Sequence, residues 1–328
     1  MDPKWHIAFC NVTYTEYAGV TYHDYYGSPA VMLEAQLAAK EYAERRFGVG
    51  RFIQPVPEGP SCDFLSMLGM AVIEPEEDEI PYLDTRHPLV TDPEHLEHVK
   101  MGDPRTTGLM AKRYERWQYY RERGHQVGFG GAGGSIISHA CEMSAGQAMM
   151  WFYEKPEAMR RLLDLLMDAE EGLARFNAEL CAGTFTSFGY TGDDFSGLLS
   201  PAMYREFAVP CYRRLYGESE HRFMHSELLR AEHLRIARDE VGITDFHGAG
   251  CKEVSLEDMY EIMGERFWTQ LIPQEMLELS PAQIDERVKV LADSGCWRVQ
   301  LYPGRGTPER NMEAAIAAAD KYCPGGPV

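Results

Sequence analysis

From about residue 184 onward, strand-like and helix-like stretches alternate, and this alternation limits the fold more than any other feature of the chain. Strands are expected over 184–189, 222–225, 243–246, 267–271 and 297–301. Helices are expected between and after them, over 200–216, 228–241, 255–263, 280–293 and 307–322. Strand and helix in turn build a parallel sheet through crossover connections. Five such strands in one half, with a less regular first half, fit an α/β fold: a single (β/α)₈ TIM barrel over residues 1–328. In such barrels the chemistry sits on the loops that follow the strands.

The first half is harder to parse. Tyr14, Tyr17, Tyr22, Tyr25 and Tyr26 crowd residues 1–28 without a clear period. Tyrosine offers apolar area with a hydroxyl handle, so this stretch suits a pocket lid or wall, or an N-terminal arm on the barrel surface. Ser28-Pro29 opens a helix that runs to Phe47 and stops at Gly48. The acidic run 74–79 reads as a solvated turn, and helices are expected over 92–99 and 103–122. The glycine-rich stretch 126–135 lacks the G-K-[ST] ending of a phosphate loop and does not spell G-x-G-x-x-G. It reads instead as a strand end whose loop lets backbone approach a ligand. Residues 157–182 form a strongly amphipathic helix with Met159, Leu162, Leu163, Leu166 and Met167 on its apolar face.

A formal charge of -19 argues against nucleic acid and anionic membrane surfaces as partners. No run of about 18 apolar residues exists, and Met1–His6 lacks the regions of a signal peptide, so no membrane span is expected. The 8 cysteines are scattered with no C-x-x-C pair, which points to a cytoplasmic protein with free thiols.

The reactive residues fall at or just past the expected strand ends: Asp193, Asp194, His225, Glu227, His247, Cys251 and Arg305. On a strand, positions i and i+2 share a face, so His225 and Glu227 would converge, and the Cys251 thiolate could complete a zinc site. His247 or Cys296 are alternatives to Cys251 as third ligand.

The second half also resembles the uroporphyrinogen decarboxylase superfamily. The pieces that carry the likeness are Gly192-Asp193-Asp194, Leu199-Ser200-Pro201-Ala202-Met203-Tyr204-Arg205-Glu206-Phe207 with Pro210, the His225-x-Glu227 pair, Glu253 to Met259, and Pro303-Gly304-Arg305-Gly306-Thr307-Pro308-Glu309. The likeness covers about residues 120–322. One branch of that superfamily decarboxylates porphyrinogens without a cofactor and carries an N-terminal arginine-glycine motif, which is missing here. The other branch comprises zinc methyltransferases with an H-x-C motif and a late cysteine, which move methyl groups to or from the cobalt of a corrinoid protein. Glu227 stands where the motif cysteine would be, and Arg305 where the late cysteine would be.

These departures look more like the O-demethylase methyltransferases, which take methyl from aryl methyl ethers. The resemblance therefore implies zinc, a cobalamin-carrying corrinoid protein as partner, and a small methylated substrate; a homodimer is left open. It implies His225, Glu227 and Cys251 as metal ligands and Asp193, Asp194 and Glu227 as catalytic groups. Tyr14, Tyr22, Tyr190, His247 and Arg305 become substrate contacts, with Arg305 holding a carboxylate or simply pairing with Glu309. The alternatives are a metal-free decarboxylase or lyase, or a different methyl donor such as a methylamine or an alcohol.

Overall fold

The computed structural model describes residues 2–76 and 78–328; Glu77, within the expected acidic turn, lies outside the described residues. Its strands are β1 (Lys4–Ile7), β2 (Val72–Ile73), β3 (Tyr82–Leu83), β4 (Tyr190–Gly192), β5 (Phe223–His225), β6 (Asp245–His247), β7 (Phe267–Leu271) and β8 (Arg298–Leu301). The chain divides into two compact units. One comprises Met1–Gly19, Ala35–Gln54 and Glu220–Val328; the other comprises Val20–Glu34 and Pro55–Ser219.

The first unit is a parallel sheet in the order β1-β8-β7-β6-β5. Parallel neighbours need a crossover between them. Between β5 and β8 these are the helices Ala231–Ile236 with its extension Ala237–Val241, Leu256–Met263 and Pro281–Asp293, and the helix Glu309–Tyr322 follows β8. Each sequence stop and start has a physical basis. Ser255 caps its helix by accepting from Asp258 N at 3.0 Å, and Asp258 returns the bond in a capping box. Gly264 ends that helix at φ 60, a conformation costly for residues with a Cβ. Along the strands Trp5, Ile7, Met224, Phe246, Thr269, Leu271, Val299 and Leu301 are buried on one face. The alternate positions carry His6, His225, His247, Gln270 and Gln300 to the other face.

The second unit is mainly helical. The helix Pro156–Leu180 buries Met159, Leu162, Leu163, Leu166 and Met167, the apolar stripe expected from its period. The helix Gly108–Glu122 is anchored by two arginines: Arg113 bonds Asp63 at 2.6 Å, and the buried Arg116 donates to the carbonyl of Glu58 at 2.9 Å.

Several sequence expectations are corrected. The N-terminal stretch is not irregular throughout, because Lys4–Ile7 pairs in register with Arg298–Leu301 and helices follow at Asn11–Ala18 and Tyr22–Gly27. Four residues are too few for periodicity to announce a strand. The strand expected over 184–189 forms later, at Tyr190–Gly192, and residues 184–189 make no ladder of their own. The helix expected from 228 starts at Ala231, since Arg230 is extended. The strand expected over 243–246 is shifted to Asp245–His247, because Ile243 N still bonds back to Ala237 O at 3.3 Å. A short helix, Pro273–Glu278, was not foreseen.

The glycine-rich stretch is a loop fixed within its own unit. Gly133 N donates to Glu170 at 3.0 Å, and a Cβ at Gly134 would meet Thr191 at 3.0 Å. Glu170 is fully buried on the helix Pro156–Leu180, with its second oxygen 3.4 Å from the His139 ring. Burial pushes the Glu170 carboxyl up to about 8 and holds His139 down at about 3. At neutral pH the pair is therefore an acid beside a neutral imidazole, not an ion pair. An acid whose folded pKa lies above its unfolded value costs nothing below the unfolded pKa. Stability is then lost as pH rises toward about 8. Glu170→Gln is expected to flatten this part of the pH–stability curve in urea titrations between pH 5 and pH 9, roughly the window this linkage defines. An unchanged slope would remove Glu170 from the account.

Candidate active site at the strand ends

Strands β5 and β6 end level with each other, His225 opposite His247. Period two sends Met224 and Phe246 into the buried layer and turns the two imidazoles to the opposite face. Their Nδ1 atoms lie 3.1 Å apart, with ring centroids at 4.9 Å. Trp268 of β7 forms the floor beside them. Its ring lies 5.5 Å from His247, 4.7 Å from Phe223 and 5.3 Å from His6. Arg298 lies over the same indole at 4.2 Å. Gln300 donates to the Gln270 side-chain oxygen at 2.8 Å, joining β8 to β7.

This face is short of hydrogen-bond partners. His6 Nδ1, His247 Nε2, Trp268 Nε1 and Arg298 Nε are buried without one. Buried polar atoms are almost always satisfied, so a cluster of exceptions marks a place for a ligand or ordered water. Burial holds His247 down at about 3, with His225 and His6 adding to the effect and Gln270 opposing it. Burial holds His6 at about 4, with Arg298 adding. Both rings are neutral at neutral pH, the form that accepts hydrogen bonds and binds metals.

The other expected residues divide between the units. In the first unit, β5 stops at His225 and the backbone bends at Glu227, so the shared strand face does not extend to the glutamate. Glu227 is exposed. Cys251, on the loop after β6, donates its thiol to Leu229 O at 3.0 Å, and burial pushes its pKa up. It lines a cavity of about 280 Å³ together with Trp268, Gln270, Ser255, Met259 and Ile272. Cys296 lies before β8 rather than after it, fully buried against Thr269 and Leu291 O, which removes it as an alternative ligand. Arg305 is exposed in the turn after β8. Glu309, its expected alternative partner, is held by Arg46 at 2.8 Å and by Tyr42 at 2.5 Å. Tyr14 is buried and donates its hydroxyl to Phe9 O at 3.0 Å, a structural use.

In the second unit, Asp193 is buried and caps the helix Ile136–Met143. Its carboxylate accepts from Ile137 N at 2.8 Å, from Ser138 N at 2.9 Å and Oγ at 2.8 Å, and from Tyr212 at 3.0 Å. Burial pushes its pKa up to about 6 despite these donors. Asp194 opens the short turn Asp194–Leu198 and is half-buried. Tyr190 is exposed beside Asp194, and Tyr22 is buried in its own short helix.

The donor types at the strand ends, imidazole, carboxylate and thiol, suit zinc. Among the described residues, however, no three such side chains already stand around one point. His225 and His247 come together, while Glu227 and Cys251 flank them on the following loops. Sequence reading missed His6, Trp268, Gln270 and Gln300. For Gln270 and Gln300 the signal was a polar residue within FWTQL and RVQL, strands otherwise apolar enough to pass for pure core.

Residues 8–321 match the family model for uroporphyrinogen decarboxylase (URO-D). The chain belongs to that family. It is 33% identical over 102 residues to a uroporphyrinogen decarboxylase of Syntrophotalea carbinolica, a stretch that covers 29% of this chain and 29% of that protein. Among solved structures it is similar to a methyltransferase from Methanosarcina mazei, with TM-score 0.71 and 17% identity over 98% of this chain and 94% of that one. At that identity the likeness speaks for the fold, which is α/β of the TIM-barrel type. No described helix is long and apolar enough to cross a membrane.

Because Asp193 is used up in capping, Asp193→Ala is expected to destabilise the chain by about 2–3 kcal/mol, the combined loss of a cap and of charge-assisted bonds. Urea unfolding measures this; a loss below about 0.5 kcal/mol would leave the carboxylate free for another role.

Proposed function

We propose that this URO-D family protein is a methyltransferase that moves a methyl group from a methoxylated aromatic substrate to the cobalt of a corrinoid protein, with zinc as electrophile. The observation that carries the reading is the imidazole pair at adjacent strand ends, flanked by Glu227 and Cys251 on the next loops. In this reading His225 and Glu227 hold the ion, and Cys251 joins them once its thiol has left Leu229 O. Zinc bound there supplies a Lewis acid for the ether oxygen, which lowers the basicity of a reluctant leaving group. The O–CH₃ bond breaks, the methyl group passes to cobalt(I), and the oxygen departs with the bonding electrons.

The chain's own side chains do the rest. Trp268 presents an indole face for an aromatic ring, and the cavity of about 280 Å³ gives it room. Arg305, exposed after β8, can grip a ring carboxylate through a bidentate pair.

The test is metal analysis of zinc-supplied protein, joined to a screen of methyl donors with cob(I)alamin as acceptor, followed spectroscopically. About one zinc per chain is expected, with methyl transfer from methoxylated aromatics. Glu227→Ala is expected to lower both zinc content and rate by roughly 10-fold or more. A protein that stays metal-free when supplied with zinc and transfers no methyl group would sink the reading. A second reading, metal-free decarboxylation of a polycarboxylate, is favoured by the match to a uroporphyrinogen decarboxylase. Carbon dioxide release from such a substrate in the presence of chelator would select it.

A further inference from the structure

The cavity of about 280 Å³ that Cys251 and Trp268 line is charged as well as apolar, because Lys252, Glu275 and Arg287 also reach it. In a chain of formal charge -19, two cations against one acid make a locally positive place. The acid is fully engaged. One Glu275 oxygen accepts from Ile272 N at 3.2 Å, and the other accepts from Arg287 Nε at 2.7 Å. The first bond closes the opening turn of the helix Pro273–Glu278, so Glu275 is fixed by its own helix and fixes Arg287 in turn. Arg287 lies one turn before Leu291 on the helix Pro281–Asp293, and both line the cavity. A guanidinium is a planar fork of donors with no acceptor. With Nε taken by Glu275, the open edge is the one formed by the two Nη groups, which carry no hydrogen bond among the described residues. Two parallel N–H donors on that edge match the two oxygens of a carboxylate.

We infer that this cavity selects a ligand bearing a carboxylate, and that Arg287 is the specificity-determining residue, gripping it end-on through both Nη groups. Glu275 orients the guanidinium before the ligand arrives, so less freedom is lost on binding. Lys252 adds a second positive charge on a flexible stem. A volume of about 280 Å³ is close to the lower end of ligand pockets, so one ring with a few substituents fills it. Arg305 is not among the residues that line this cavity; the guanidinium that shares it with Cys251 is Arg287. Joined to the function proposed above, the inference narrows the substrate to methoxylated aromatic acids. That narrowing rests on the proposed reading, whereas carboxylate binding in the cavity does not.

The experiment is titration calorimetry of the full chain with para-methoxybenzoate and with its methyl ester, which keeps the ring and removes the charge. The wild-type chain is expected to bind the acid about 10–100-fold more tightly than the ester, the worth of a charge-assisted bidentate pair. Arg287→Met is expected to lose that preference and to leave ester binding within roughly 3-fold of wild type, since it keeps the apolar stem. Arg287→Lys, which keeps the charge without the fork, is expected to fall between the two. The ratio of acid to ester is the readout, because general damage to the cavity weakens both ligands alike. If Arg287→Met does not fold, the wild-type ratio and Arg287→Lys still decide the matter. Equal affinity of the wild type for the two ligands, or none for either, would overturn the inference, as would a folded Arg287→Met that keeps the preference. Loss of the preference in Arg305→Ala but not in Arg287→Met would assign the carboxylate to Arg305 and overturn it as well. A chain that prefers the acid yet takes up no zinc and transfers no methyl group leaves this inference standing while the function proposed above falls. Methyl transfer with no preference for acids does the reverse.

Discussion

The in-register parallel pairing of β1, β8, β7, β6 and β5 is the constraint on which the first unit depends. Once Trp5 and Val299, or Met224 and Phe246, are matched in the buried layer, period two leaves no choice for their neighbours. His6, Gln300, Gln270, His247 and His225 must all emerge on the opposite face. A slip of one residue would bury five polar side chains among the helices and expose the apolar ones. Apolar packing on one side thus specifies the polar constellation on the other, and the candidate site follows from the core.

Burial is used differently in the two units. In the second, Glu170 and Asp193 are buried carboxyls tied to backbone N–H groups, and their raised pKa values reflect the cost of taking charge out of water. Asp193 fixes a helix N-terminus with both oxygens, and one Glu170 oxygen fixes the glycine-rich loop while the other faces the His139 ring. In the first unit, the histidines and Trp268 are buried with bonding capacity left over. Asp193, with both oxygens bonded, is scaffold, whereas His247 keeps a buried nitrogen without a partner, as do His139 and one Glu170 oxygen in the second unit. That distinction separates Asp193 from His247 although both follow the same pattern in sequence, a polar residue at a strand's C-terminal end.

Much of the fold was legible because its signals are additive. The helix Pro156–Leu180 repeats its apolar spacing over 25 residues, and Ser-Pro starts or glycine stops mark the helices around β7 and β8. Strands of three or four residues carry too little period to be located alone, which explains the misplacement of β4 and β6 and the missed β1. For the site, sequence found His225 and His247 because they sit at strand ends. It could not find their contact, since a register is a tertiary fact. It also overlooked Gln270 and Gln300, because a glutamine inside an apolar strand reads as noise until its neighbour strand supplies a second one.

Glu227 illustrates the remaining gap between pattern and structure. Period-two reasoning paired it with His225 on one strand face, but the strand ends at His225 and the chain bends at Glu227. The exposed carboxylate is therefore on the loop after the strand rather than on the sheet. His225 is held by the strand and by a buried ring behind it. A site built this way has one rigid member and flanking donors on loops, so in the proposed reading affinity for an ion would depend on the ordering of Glu227 and Cys251. Rigid support for a single nitrogen, with adaptable partners around it, suits a barrel fold, which serves several chemistries through changes in the loops after its strands.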